Sequence, residues 1–137
     1  MWIVFALLSA IFAALTSILA KIGIEHIDST VATAIRTIVV VIVSWAIVFF
    51  TGKQQTLAFI DRKSLIFLIL SGIATGVSWL CYYRALQSGP ASKVIPIDKF
   101  SVVIGIVLAF FLLGESVDKK TIIGGALISI GTFVLIL

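Results

Sequence analysis

Charged side chains cut this chain into long apolar runs, and the lengths of those runs predict its elements. Residues 1–20 carry no charge before Lys21, residues 31–50 carry only Arg36, and residues 64–83 carry none before Arg84. A fourth run, from about residue 94 to Leu113, contains Asp98 and Lys99, and a fifth covers 121–137 without a charge. A helix rising 1.5 Å per residue needs roughly 20 apolar residues to cross a hydrocarbon layer about 30 Å thick. The pattern predicts five membrane-spanning helices at about 2–22, 31–50, 64–83, 94–113 and 121–137, so the expected fold class is an all-α membrane bundle formed by 1–137 as one domain.

The connections are polar. Glu25, His26, Asp28 and Ser29 join the first two spans, and residues 51–63 form the longest loop, in which 57–60 suit the plane of the membrane interface. Gln87, Ser88, Gly89 and Pro90 predict a turn, because glycine tolerates left-handed backbone and proline disfavours a helical residue before it. Pro96 is expected in or near the first turn of span four, where a missing amide costs little. A secretory signal would place Lys or Arg ahead of its apolar region; here only the amino terminus precedes Trp2, so the first run is expected to remain as a span.

Composition agrees with this pattern. The chain is 61% hydrophobic and 12% charged, with a mean hydropathy of +1.29, whereas soluble domains are nearer half apolar and a quarter charged. A soluble enzyme, a nucleic-acid binder and a disulfide-stapled secreted module all fit poorly, and the single Cys81 permits no internal disulfide. The net charge of +4 bears mainly on orientation. With a cytoplasmic amino terminus, Lys53, Arg62, Lys63, Lys119 and Lys120 lie inside, against Lys21, Arg84 and Lys93 outside. Counting Arg36 and Lys99 with the outer set makes the two sides equal, so insertion in both orientations, and an antiparallel homodimer, become accessible.

Small residues supply the packing signals, since lipid gives helices no hydrophobic reason to associate. Ala10, Ala13, Ala14 and Ser17 share a face of span one; Gly72 and Gly76 form a G-x-x-x-G pair in span three, with Trp79 and Tyr83 continuing that face. Gly105 in span four and Gly124, Gly125 and Gly131 in span five complete the expected packing set. Ser71, Thr75 and Ser78 either bond their own helix or line a wet cavity.

Arg36, Asp98 and Lys99 lie inside otherwise apolar spans, where an ionised group costs of order 2.5–3.5 kcal/mol at the centre. With alternating topology they fall at one end of the bundle together with Lys21, Tyr82, Tyr83 and Arg84, as a cavity opening to one side requires. Asp98 and Lys99, about 100° apart on a helix, are expected to serve different partners, one of them Arg36. The positive excess favours a substrate carrying a carboxylate or phosphate; alternatively the lysines snorkel to the interface and Arg36 only neutralises Asp98. The candidate substrate and coupling residues are Lys21, Arg36, Trp79, Tyr82, Tyr83, Asp98 and Lys99. No catalytic set, metal-ligand spacing or phosphate-cradling loop accompanies them, and His26 is expected to be a surface residue, so neither an enzyme nor a cofactor is expected.

The tract Tyr82-Tyr83-Arg84-Ala85-Leu86, the stretch from Ser92 through Pro96 to Asp98, and Gly114-Glu115 together resemble the EamA-type half of the drug/metabolite transporter superfamily. Lys21-Ile22-Gly23 and Arg36 also fall where that family often carries Lys and Arg. The resemblance implies half of a ten-helix inverted-repeat transporter, a homodimer that rebuilds the pair, and alternating access to a small polar or amphiphilic metabolite in a plasma membrane. Ala13 and Ala14 stand where many members have an aromatic residue, so substrate specificity does not carry over. The small multidrug-resistance branch relies on a carboxylate in its first span, which this chain lacks. The competing expectations are a non-transporting subunit packed on a larger membrane partner and an exporter of lipid-linked cargo.

Overall fold

The computed structural model describes residues 1–137, and every regular element in it is helical. In order these are α1 (Trp2–Gly23), α2 (Ser29–Phe50), a 3₁₀ segment (Lys53–Phe59), α3 (Arg62–Ser88), α4 (Ala91–Asp98), α5 (Ser101–Leu113) and α6 (Lys119–Ile136). Taking α4 and α5 as one stretch, Ala91–Leu113, five segments are long and apolar enough to cross a bilayer. The protein is a multi-pass all-α membrane protein.

Three helices begin on aspartates. The Asp28 carboxylate accepts from the Thr30 amide at 2.8 Å and the Val31 amide at 3.4 Å, Asp61 from the Ser64 amide at 3.1 Å, and Asp118 from the Thr121 amide at 2.8 Å. Each satisfies amides that have no partner inside the helix and places negative charge at the positive end of its dipole. The Thr30 amide holds the Asp28 carboxyl below its ordinary value, and the Ser64 and Thr121 hydroxyls, followed by their amides, do the same for Asp61 and Asp118. At the other ends, Gly52 and Gly114 both take φ of 66°, the left-handed conformation that ends α2 and α5 without a Cβ clash.

Burial runs opposite to that of a soluble protein. Large apolar side chains such as Phe12, Ile42, Phe67 and Leu127 face outward, while Ser17, Ser29, Thr33 and Thr132 are buried. Hydrocarbon is as apolar as leucine, so nothing drives leucine inward, and small residues gain most from helix contact.

The chain forms two compact units. In the unit spanning residues 19–87, Ile24, Tyr83 and Leu86 form the apolar core. The Gln87 amide donates to the Ile27 carbonyl at 2.9 Å and to the Ile24 carbonyl at 3.4 Å, and the Lys21 ammonium donates to the Leu86 carbonyl. These bonds satisfy carbonyls of the connection after α1 and of the last turn of α3. They also correct the expected turn: α3 continues through Ser88, leaving only Gly89 and Pro90 as the bend, because Leu86 and Gln87 gain core and hydrogen-bond partners as helix.

In the unit made of residues 1–18 and 88–137, α6 packs along α4 and α5. The Phe100 and Phe133 rings meet edge to face at 6.2 Å, and Gly125 is buried with Ile106 beside it. An open apolar cleft of about 570 Å³ is lined by Val103, Ile106, Phe110, Ile122 and Ala126 among others.

The fourth span is interrupted, which the sequence pattern does not predict. Pro96 sits inside α4 rather than in its first turn, and the α-helical ladder gives way to three-residue bonds from Lys99 to Pro96, Phe100 to Ile97, Val102 to Lys99 and Val103 to Phe100. A proline supplies no amide and crowds the carbonyl four residues earlier, which weakens the turn before it, and the three-residue bonds follow one turn after it.

Candidate functional site

Arg36 projects from the second turn of α2, and Trp79 and Tyr83 lie one turn apart on α3, so both rings share a face. The guanidinium carbon lies 4.0 Å from the centroid of the Trp79 ring and 5.5 Å from that of Tyr83. Tyr82 meets Tyr83 edge to face at 6.2 Å. Tyr83 is only 3% exposed, whereas Arg36, Trp79 and Tyr82 are half-buried. The negative faces of the rings attract the cation, an interaction of about 2 kcal/mol or more when water is excluded. Five of the seven residues expected to serve substrate thus fall within one compact unit.

Asp98 and Lys99 belong to the other unit, at the interruption of span four. Their charged atoms are 3.2 Å apart. The expectation that these neighbours serve separate partners does not hold: Lys99 lies at the end of α4, and its four-carbon stem spans the angle between the two positions. Arg36, for its part, rests on the rings of its own unit.

Lys21 is tied to the end of α3. Its ammonium bonds the Leu86 carbonyl, where a cation also suits the negative end of the α3 dipole. Beside it a polar cleft of about 330 Å³ is lined by Lys21, Ile22, Ile24, Glu25 and Gln87. Thr75 bonds the Ser71 carbonyl at 2.9 Å, and Thr33 and Thr37 bond the carbonyls four residues before them at 2.8 Å and 2.7 Å. Those hydroxyls satisfy their own helices.

The packing glycines divide. A Cβ on Gly125 would touch Ile106 at 3.6 Å, whereas one on Gly72, Gly76, Gly105, Gly124 or Gly131 would meet nothing within 4 Å. The G-x-x-x-G face of α3 is therefore open in a single chain.

The sequence pattern did not single out Gln87 as a clamp, the three aspartate caps, or the Arg36–Trp79 contact. The caps had a signal: each Asp stands within three residues of a Ser or Thr that leads into an apolar run, although Arg62-Lys63 and Lys119-Lys120 intervene after Asp61 and Asp118. Trp79 continues the glycine face and belongs to the candidate substrate set, and alternating topology places it near the depth of Arg36.

The model of the EamA-like transporter family matches residues 1–137. An uncharacterized transporter encoded in the cobO 3' region of Sinorhizobium sp is 46% identical over 134 residues, covering 98% of this chain and 95% of that protein. An uncharacterized protein of Methanocaldococcus jannaschii is 29% identical over 97% of this chain and 94% of its own length. An uncharacterized transporter of Clostridium kluyveri is 26% identical over 96% of this chain but only 42% of its own. No solved structure matches.

Proposed function

Because the chain belongs to the EamA-like transporter family, we propose that it is a secondary transporter carrying a small polar or amphiphilic metabolite across the plasma membrane by alternating access, as a homodimer. The observation that carries this reading is the interruption of span four at the Asp98–Lys99 pair. In transporters of other folds, broken spans near the bilayer midplane expose backbone groups to substrate and coupling ions, and they bend where an unbroken helix would resist. Here the break is flanked by a carboxylate and an ammonium that otherwise have no place in hydrocarbon.

In this reading Arg36, Trp79, Tyr82 and Tyr83 contact the substrate, the Asp98–Lys99 pair responds to substrate or a coupling ion, and the break is the hinge. Two observations support pairing of copies: basic residues balance across the membrane, and the Clostridium relative has room for a second unit of similar size. Uptake of a broad metabolite panel into proteoliposomes tests the proposal. Saturable flux above protein-free vesicles is expected for at least one compound; none, with the homodimer intact, contradicts it.

A further inference from the structure

Arg36 carries a permanent charge as the eighth residue of a membrane helix, roughly 10 Å from its start at 1.5 Å per residue. Two ring faces meet that charge, and within residues 19–87 no carboxylate, carbonyl or hydroxyl accepts a hydrogen bond from it. No enclosed side-chain nitrogen in the protein lacks a partner, so the nitrogens of Arg36, which have none, are reachable from outside. Ring faces stabilise a cation but do not satisfy a fork of five N–H donors. Lipid tails cannot satisfy them either. Asp28, the preceding carboxylate on this segment, is committed to the Thr30 and Val31 amides, roughly 12 Å back along the helix.

We infer that Arg36 recognises an oxyanion, a carboxylate or phosphate group, and that the Trp79 and Tyr83 rings hold its guanidinium ready. Guanidinium geometry matches such groups bidentately, and a cation already seated on rings loses little freedom when the anion arrives. Lysine keeps the charge without the fork, so it replaces the function only in part. This assignment rests on the transport reading, but its test reads binding and not flux.

Substituting Trp2→Phe and Trp45→Phe leaves Trp79 as the only tryptophan, in direct contact with the responding cation. This variant, in phosphatidylcholine nanodiscs, is titrated with inorganic phosphate and with benzoate while Trp79 emission is followed. A saturable change is expected, with apparent affinity at least tenfold weaker in Arg36→Lys and no response in Arg36→Gln, both checked for monodispersity and helix content. If Arg36→Gln does not fold, the Arg36→Lys loss alone decides. A response that appears only when phosphatidylglycerol is added, and depends on Arg36, supports the inference with a lipid headgroup as the source. No response that depends on Arg36 in either arm overturns it. Flux without such binding removes this assignment and leaves the transporter; binding without flux removes the transporter and leaves the assignment.

Discussion

Single residues here are explained by what hydrocarbon cannot supply. A charge or an unpaired carbonyl inside a span finds no water, and hydroxyls such as those of Ser17, Thr33, Thr75 and Thr132 bond the carbonyls four residues before them. Lys21 is one case: its ammonium bonds the Leu86 carbonyl. Lys21→Met is expected to lower unfolding free energy by about 1.5–3 kcal/mol, the usual worth of a hydrogen bond to a charged group, in denaturant titrations of the detergent-solubilised protein. The aspartate caps predict the acid response. Asp28, Asp61 and Asp118 titrate low chiefly because the Thr30 amide, the Ser64 hydroxyl and the Thr121 hydroxyl bind their charged forms. Their stabilisation is complete above the ordinary aspartate value of 3.8 and is lost as pH falls through the lowered values. Melting temperature should stay level from about pH 7 to 5 and fall below about pH 4, less steeply in the triple Asp→Asn variant, whose amides still cap without titrating.

At the scale of elements, run length and charge placement were enough to place five spans, because crossing hydrocarbon imposes one length on all of them. Their ends were less predictable. Helix α3 runs past Arg84 because Leu86 is fully buried and Gln87 bonds the connection after α1, contacts that no local pattern encodes. Leu86→Ala is expected to cost about 2–5 kcal/mol, the range for emptying a buried leucine site. The break in span four was visible only as Pro96, whose consequence depends on where the helix starts: with α4 beginning at Ala91, the proline is interior. Pro96→Ala restores an amide and removes a helix penalty of about 3 kcal/mol. If the break is the hinge, this variant melts higher, exchanges amide hydrogens around Lys99 and Phe100 more slowly, and transports at least tenfold more slowly. Unchanged flux with slowed exchange removes the hinge from the mechanism.

For the whole molecule, the open Gly72–Gly76 face on α3 and the balanced charge are the features on which the proposed homodimer rests. Because a Cβ at either glycine meets nothing within the chain, Gly72→Leu with Gly76→Leu should leave the monomer's helix content intact while shifting the protein from dimer to monomer in crosslinking and light scattering. The candidate site was half readable from sequence. Its charged members stand out in apolar runs, whereas Trp79 and Tyr83 look like any interfacial aromatics until a cation is found on them. The account as a whole depends on two copies facing opposite ways to make one transporter. Reporter fusions at the carboxyl terminus, active on opposite sides of the membrane, measure that directly: signal from both sides in comparable amounts is the predicted result, and signal from one side alone contradicts it.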